Sequence, residues 1–220
     1  MIVRQAAVAL DLIRVHGAPK FFVRILPWMI RRRYILYSGS FDTPLPDFRA
    51  DIPLKIGPAR PADLALIARI RPGFFNLDRV RERFDQGHVC FLAWAGDRPV
   101  HARWAFGGSV FLPYLSKRLV LGARDIFYDE TYTVPSFRHR GVDYQTLRVL
   151  LAWFKEKGYA RHHCLLTSWD ISLHRRASAF CMKRTGEVGG WSVLGFKGLT
   201  CRGLIRDEGR GLMSIVPPED

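Results

Sequence analysis

One stretch decides the fold that this sequence predicts: Val134–Asp143, which reads VPSFRHRGVD. It places a basic turn with Gly141 between the end of an apolar strand and the start of a long helix. The first N–H groups of a helix have no partner within the helix, and the helix dipole adds partial positive charge at the same end. An anion is stabilised there, and the side chains of Arg138, His139 and Arg140 add to the field. The stretch therefore predicts a phosphate-binding turn.

The helix after this turn is predicted from about Gly141 to Lys157. Its apolar residues recur at the spacing of one buried helical face, and Gly158 follows as the expected left-handed stop. The residues of this buried stripe are Leu147, Leu150, Leu151 and Phe154. The helix is thus expected to pack against the core of the protein directly behind the turn.

The turn resembles the acyl-CoA pyrophosphate loop of the GNAT N-acetyltransferase superfamily, which is written V-x-P-x-x-R/Q-x-x-G-x-G/A. The match departs from this pattern at Asp143, where the family has Gly or Ala, and at His139, where a second glycine is common. An acidic side chain in the first turn complements the helix dipole, but beside a bound pyrophosphate it would repel charge. The resemblance implies acetyl-CoA or another acyl-CoA as co-substrate and no metal.

The resemblance also implies the fold class, a mixed α/β (α+β) domain with a mostly antiparallel central sheet flanked by helices. The order of predicted elements between Leu54 and Leu204 agrees with it. Strands are predicted at 54–58, 89–95, 100–106, 126–134 and 163–167, with two more within 188–204. Helices are predicted at 61–70, 77–86, 141–157 and 173–184, and a loop or short helix at 112–122.

The strand before the turn carries two candidate catalytic carboxylates. Simple alternation along a strand places Tyr128, Glu130 and Tyr132 on one face, and Asp129, Thr131 and Thr133 on the other. The resemblance implies that one carboxylate, directly or through a water, deprotonates an acceptor amine. Glu130 is the first candidate and Asp129 the second. Either acid has an equally plain structural interpretation, as a partner of a nearby arginine.

The resemblance implies a binding role for several other residues. Backbone groups near Thr133 and Val134 would hold the pantetheine arm, and Ser178 matches a serine that is frequent in the family. The residues implied at the pyrophosphate are Arg138, His139, Arg140, Gly141, Val142 and Asp143. The family's proton-donating tyrosine aligns with Met182, which leaves His174, Ser178 and Cys181 as nearby alternatives. The thiolate of CoA is a good leaving group near neutral pH, so the absence of the proton-donating tyrosine does not exclude acyl transfer.

Composition and charge bound the rest of the chain. The 220 residues include 34 basic and 20 acidic side chains, a formal net charge of +14, so the surface should attract anions. We predict a basic amphipathic helical leader at 1–37, a linker at 38–53, the transferase domain at 54–206 and a flexible tail at 207–220. The leader has two interpretations, peripheral contact with anionic membrane or docking on the domain, and nucleic acid is the less favoured partner. The predicted location is the cytoplasm, with the inner face of the membrane as the alternative.

Two functions from different classes follow. The first is an acyl-CoA-dependent N-acyltransferase, transferring acyl groups other than aminoacyl groups to an amine of a small-molecule or envelope saccharide acceptor. The second is a GNAT-like module with impaired catalysis that binds nucleic acid or anionic membrane, favoured by the net charge, Asp143 and Met182. A related fold that transfers longer acyl or aminoacyl groups is a third interpretation. Neither the acceptor nor the oligomeric state follows from the sequence.

Overall fold

The computed structural model describes Pro19 and residues 31–71, 76–193 and 196–216. Its strands are β1 (Arg31–Ser40), β2 (Lys55–Pro58), β3 (Val89–Ala95), β4 (Arg98–Gly107), β5 (Ser109–Leu112), β6 (Lys117–Val120), β7 (Asp125–Thr133), β8 (Arg161–Thr167), β9 (Lys183–Val193), β10 (Phe196–Gly203), β11 (Ile205–Gly209) and β12 (Leu212–Ile215). Its helices between residues 31 and 216 are α1 (Leu64–Ile70), α2 (Leu77–Asp85), α3 (Val142–Glu156) and α4 (Ile171–Ala179), with short 3-10 turns at Pro61–Asp63 and Pro135–Phe137.

The strands form two sheets. The larger sheet has eight strands in the order β10-β9-β1-β8-β7-β4-β3-β2, and its pairs are antiparallel except for the parallel pair β7–β8. The smaller sheet has four strands in the order β11-β12-β6-β5. The mixed, mostly antiparallel architecture predicted from the sequence is confirmed.

Two apolar cores cover the opposite faces of the large sheet. The first contains Ile67 of α1 and Val80 of α2 together with Trp104 of β4. The second lies beneath α3 and α4, and the predicted buried stripe of α3 is within it: Leu147, Leu150, Leu151 and Phe154, each no more than 3% exposed. Because burying one such side chain contributes about 1.5–3 kcal/mol, this stripe fixes α3, and with it the turn at its N-terminus, against the sheet.

The N-terminal part of the described chain corrects one prediction. Residues 31–40 form β1, which is inserted between β8 and β9 and pairs antiparallel with both. The predicted helix is therefore wrong for residues 31–37, because Tyr34 and Leu36 are two residues apart and both enter the core, the spacing of a strand. The rest of the predicted leader, apart from Pro19, lies outside the described residues. Within the described ranges, no helix has the length and apolar character needed to cross a bilayer.

The predicted linker is a packed segment of the domain. Its residues 38–40 belong to β1, and residues 41–53 have no helix or strand, as predicted. However, Phe41 is buried, and the ring of Phe48 lies 4.9 Å from that of Tyr144 and 5.0 Å from that of Phe180. The predicted domain start at Leu54 is wrong, since this segment packs across α3 and the chain just after α4.

Two further predictions are corrected by the small sheet. The region 112–122, predicted as a loop or short helix, contains β6 and the turn of the β5–β6 hairpin. The predicted flexible tail contains most of β11 and all of β12, and Met213 and Ile215 are buried in the first core. Residues 217–220 of that tail lie outside the described residues. Short apolar strands with few periods give a weak signal, which is why both were missed.

A pair of glycines tests how tightly the C-terminal strands pack. Gly203 and Gly209 have nearly the same left-handed φ, +74° and +75°, but a Cβ on Gly203 would lie 2.2 Å from the carbonyl oxygen of Thr185, whereas a Cβ on Gly209 would meet nothing within 4 Å. We expect Gly209→Ala to lower the free energy of unfolding by about 1–2 kcal/mol, the left-handed cost alone. Gly203→Ala should lose a further 1–3 kcal/mol or so from overpacking. Urea denaturation of both variants measures the difference. Equal losses of unfolding free energy would show that β9 and β10 can move apart to accommodate the added Cβ at little cost.

Candidate active site

The central feature of the large sheet is the divergence of β7 and β8. The two parallel strands pair only over Asp125–Phe127 and Arg161–His163, although β7 continues to Thr133 and β8 to Thr167. Beyond Phe127, no described strand pairs with the edge of β7 that faces β8. The backbone of this edge is therefore available to a ligand lying between the strands.

The predicted phosphate-binding turn lies at the end of β7, directly beyond this divergence. Gly141 has φ +74° and precedes α3, and no side chain caps the first turn of the helix. Two hydrogen bonds hold the turn to the strands. The N–H of Val134 donates to the carbonyl of Val100 (2.9 Å), and the Nε of Arg138 donates to the carbonyl of Thr133 (3.2 Å). The side chains of Arg138, His139 and Arg140 are exposed. The local geometry is therefore that of an anion-binding helix N-terminus.

The segment before β2 packs on one side of this turn. A Cβ on Gly141 would lie 3.0 Å from both the Cα of Ala50 and the carbonyl oxygen of Arg49, so only glycine allows this approach. Asp51 donates its N–H to the carbonyl of Arg140 (3.1 Å), and its carboxylate pairs with the guanidinium of Arg140 (3.2 Å). Of the two turn arginines, Arg140 thus already has an anionic partner.

The carboxylate of Asp143 is directed towards β4 and α4, and the side chain is 22% exposed. Its carboxylate forms ion pairs with Arg103 of β4 and Arg176 of α4, and it also accepts a hydrogen bond from the hydroxyl of Thr131 (3.2 Å). Burial alone would raise the pKa of Asp143, but the charges of Arg103 and then Arg176 hold it well below its usual range. The cluster of one carboxylate and two guanidinium groups carries a net positive charge, so the repulsion expected between Asp143 and a phosphate is offset within the cluster.

His101 completes this cluster from β4. Its ring accepts or donates hydrogen bonds at Thr133 (2.7 Å) and Thr131 (3.3 Å), and it is fully buried. Burial lowers the pKa of His101 to about 3, which outweighs the nearby charge of Asp143, so the ring is neutral at physiological pH. Thr133, predicted to lie at the pantetheine arm, is thus held by a neutral imidazole.

The residues present fit an acyl-CoA. The turn offers an uncapped helix N-terminus with exposed basic side chains, and the cluster behind it is cationic. The diverging edge of β7 is not paired with β8 beyond Phe127, which leaves room for an amide-containing arm. Val142, also predicted at the pyrophosphate, is buried, so only its backbone could take part.

A β-bulge corrects the predicted faces of β7. Arg103 pairs with Thr131, while the next residue, Trp104, pairs with Asp129, so Glu130 is an extra residue and has φ +47°. The bulge resets the alternation, and Tyr128 and Tyr132 enter opposite cores. The predicted shared face of Tyr128, Glu130 and Tyr132 is wrong. Bulges re-aim side chains in this way and are frequent next to active sites.

Glu130, the first candidate base, is an ion-pair partner. Its Oε1 lies 2.5 Å from a guanidinium nitrogen of Arg79 and 2.5 Å from one of Arg83, both on α2. Both contacts are made by the same oxygen, and the other oxygen, Oε2, is buried without a hydrogen-bond partner among the described residues. The plain structural interpretation of a carboxylate beside arginine therefore describes Glu130 in this structure.

Asp129, the second candidate, has the environment of a base. Its Oδ1 accepts the backbone N–H of Glu130 (2.7 Å), and its Oδ2 accepts the hydroxyl of Tyr114 (2.9 Å). Burial, followed by the charge of Glu130, raises the pKa of Asp129 to about 6. A carboxylate with this pKa is largely ionised at neutral pH and still able to accept a proton.

The residues predicted on the later helix are placed differently. That helix ends at Ala179, so Met182 lies beyond it, just before β9, and does not occupy the helical position assigned to the family's tyrosine. The hydroxyl of Tyr128 donates to the sulfur of Met182 (2.9 Å), which brings a phenol to this region from β7. Ser178 is exposed and donates to the carbonyl of His174 in its own helix (3.1 Å).

Three site residues have weak sequence signals. Arg103 and His101 alternate with apolar residues in the strand VHARWAF, and buried charge at such positions is unusual enough to be noticed. Arg176 stands among neighbouring arginines in α4, where nothing in the sequence distinguishes it. Their common partner, Asp143, is distant in sequence from each of them.

A comparison with solved structures finds proteins that are similar to this chain. A GNAT-family protein from Novosphingobium aromaticivorans matches with a TM-score of 0.50 and 13% identity, over 73% of this chain and 65% of that chain. The aminoglycoside acetyltransferase AAC(6')-Iy, solved with a CoA bisubstrate analogue, matches with a TM-score of 0.47 and 17% identity, over 58% of this chain and 89% of that one. An N-acetyltransferase from Staphylococcus aureus matches with a TM-score of 0.45 and 17% identity, over 59% of this chain and 82% of that chain. The chain matches no protein-family model and no curated protein. At 13% identity and a TM-score of 0.50, the likeness to the Novosphingobium protein shows the fold alone, and the predicted GNAT-like fold is confirmed.

Proposed function

We propose that this protein is an acyl-CoA-dependent N-acyltransferase, with acetyl-CoA as the simplest donor and an amine as acceptor. One observation carries the proposal: the parallel strands β7 and β8 separate after Phe127 and His163, and the basic turn before α3 lies at the open end. An elongated donor with a polyphosphate at one end and a thioester at the other suits this arrangement.

The chain would hold the donor by its two ends. Backbone N–H groups in the first turn of α3, with Arg138 and His139, would bind the pyrophosphate. Arg140 would join them by exchanging its pair with Asp51, which is half-exposed and therefore weak. The unpaired edge of β7 after Phe127 would bind the amides of the pantetheine arm, as a neighbouring strand would.

Asp129 would remove the proton from the acceptor amine, because an ammonium cannot attack a thioester. When bound, the acyl-CoA supplies the activated carbonyl carbon and a thiol leaving group. Tyr114 holds one oxygen of Asp129, and the backbone of Glu130 holds the other, so the carboxylate is fixed before the acceptor arrives. Glu130 would act indirectly, by keeping Arg79 and Arg83 beside the base.

Binding of the donor at the turn is tested by calorimetry with CoA and with pantetheine, which lacks the phosphates. We expect CoA to bind the wild-type protein, and the double variant Arg138→Ala/Arg140→Ala to weaken that binding about tenfold or more, since each hydrogen bond to a charged group contributes about 1.5–3 kcal/mol. Pantetheine should bind weakly to both proteins.

The matched control is Arg202→Ala/Arg206→Ala, which removes the same charge from two exposed residues of β10 and β11. It should bind CoA like the wild type, apart from a small loss of long-range attraction that salt suppresses. If both double variants lost CoA equally, the net charge and not the turn would be responsible. If no CoA bound to the wild type, the transferase proposal would fail.

A further inference from the structure

A cavity lies between α2 and β5, apart from the phosphate-binding turn. Its volume is about 360 Å³, and its walls include Arg79 and Arg83 of α2, Phe106 of β4, and Val110 and Phe111 of β5. This volume is within the range of small-molecule sites, as is the combination of apolar walls with a few converging polar groups. Phe111 is half-exposed at the cavity, although large apolar side chains are usually buried.

The charged side chains of the cavity wall differ in burial, since Arg83 is buried whereas the acids Asp78 and Glu82 are exposed. Arg79 and Arg83 both contact the same oxygen of Glu130. Arg83 is 7% exposed, its guanidinium lies over the rings of Trp104 and Phe106, and its Nη1 is buried with no hydrogen-bond partner among the described residues. A buried charged donor without an acceptor is costly, so the site favours a ligand that supplies one.

His88 indicates the sign of the potential in the same cavity. It is 6% exposed, and its Nδ1 also has no partner within the described chain. Burial, followed by the charges of Arg83 and Arg118, lowers the pKa of His88 to about 4, so the ring is neutral at pH 7. The acids that line the cavity, Asp78 and Glu82, are exposed, so the buried charge among the lining residues is that of Arg83, which Glu130 contacts from outside the lining.

Residues on two sides of the cavity are connected to the proposed base, Asp129, through hydrogen bonds and ion pairs. On one side, Arg79 and Arg83 contact Glu130, whose backbone N–H donates to Asp129 (2.7 Å). On the other side, the lining residue Pro113 precedes Tyr114, whose hydroxyl donates to Asp129 (2.9 Å). On each side a lining residue is thus one ion pair or one peptide bond away from a residue that holds Asp129.

We propose that the acyl acceptor is an amine that also carries a carboxylate, as an apolar amino acid does, and that this carboxylate binds Arg79 and Arg83 in the cavity. The apolar part of the acceptor contacts Val110 and Phe111, and its amine extends towards Asp129. The proposal rests on the proposed function, because it assigns the second substrate of the same transfer. It excludes simple amines and sugars without an acidic group as preferred acceptors.

Binding is tested first without any acyl-CoA. The probes are 3-phenylpropionate and 3-phenylpropan-1-ol, which share an apolar group but differ in charge, measured by calorimetry on wild type, Arg79→Gln and Arg81→Gln. Arg79 is partly exposed, so its loss should leave the protein folded, and Arg81 is an exposed arginine of the same helix outside the cavity lining. We expect the acid to bind at least about tenfold tighter than the alcohol to the wild type and to Arg81→Gln, and this preference to disappear in Arg79→Gln.

Equal binding of acid and alcohol to the wild type, or an unchanged preference in Arg79→Gln, would overturn the proposal. Acylation assays then compare phenylalanine with phenylalanine amide, each with acetyl-CoA. Turnover of phenylalanine with little turnover of the amide is expected. Preferred turnover of the amide would overturn the acceptor assignment and leave the transferase standing. If acetyl-CoA were not consumed with either amine, although the acid binds, the result would count against the transfer itself. The proposed acceptor role of the cavity would then fail with it.

Discussion

Replacing Asp143 with alanine should lower the free energy of unfolding by about 3–5 kcal/mol, the usual cost of removing one partner from a buried ion pair. The variant would leave Arg103 and Arg176 facing each other with no anion between them, and Arg103 is 1% exposed. Urea denaturation at pH 7.5 measures the loss. The result would be informative because the family pattern has Gly or Ala at this position, so the variant that restores the pattern is expected to damage this protein.

The pH dependence of this effect has a definite sign. The pKa of Asp143 is depressed in the folded protein, so its stabilisation is complete above the ordinary value of 3.8 and is lost as pH falls through the folded value. The difference between wild type and Asp143→Asn should therefore be constant from pH 8 to about 5 and shrink only in strong acid. The control is Asp47→Ala, which removes an exposed partner of Arg148 and should cost less than about 1 kcal/mol. Similar losses in the two alanine variants would show that Asp143 is not effectively buried.

The sequence predicted the parts of this fold that rest on local patterns. The long helix α3, its buried stripe and the glycine turn before it follow from periodicity and from the special conformation that Gly141 adopts. The strands β3 and β7 were predicted within one or two residues, because each is an apolar run bounded by turn residues. These elements also place the turn that is proposed to bind phosphate, which is why that half of the candidate site was accessible from the sequence.

The other half of the site depends on contacts between distant residues. An extra residue in a strand leaves no mark on the sequence, so the bulge at Glu130 was not predicted, and the order of the two carboxylates proposed from the structure is the reverse of the order favoured by the sequence. The choice between them is set by Arg79, Arg83 and Tyr114, which come from α2 and the β5–β6 hairpin. Similarly, residues 31–37 of β1 were assigned to a helix because a basic, apolar segment also suits an amphipathic helix, and only the pairing with β8 and β9 makes this segment a strand.

Replacing Asp129 with asparagine should reduce kcat of the proposed acyl transfer about 100-fold or more, the usual contribution of a general base. In the wild type, kcat/KM should rise with pH through about 6, because burial raises the pKa of Asp129 to that value and only the ionised form accepts a proton. Tyr114→Phe is the matched variant. It removes a hydrogen bond that favours the ionised carboxylate, so it should move this acid limb to higher pH while leaving the base in place.

Stability should change in the opposite direction to activity. The folded pKa of Asp129 is raised from 3.8 to about 6, so ionisation of this residue opposes folding, and the full penalty is present above the folded value. At 1.36 kcal/mol per pKa unit, Asp129→Asn should be more stable than the wild type by on the order of 3 kcal/mol at pH 8, with the advantage vanishing near pH 4. A variant that is inactive yet more stable would mark Asp129 as a residue kept for chemistry. Full activity in Asp129→Asn would move the role of base to another group. Glu130→Gln would then be the variant to compare. Because Glu130 forms ion pairs with Arg79 and Arg83, this variant should lose stability instead of gaining it.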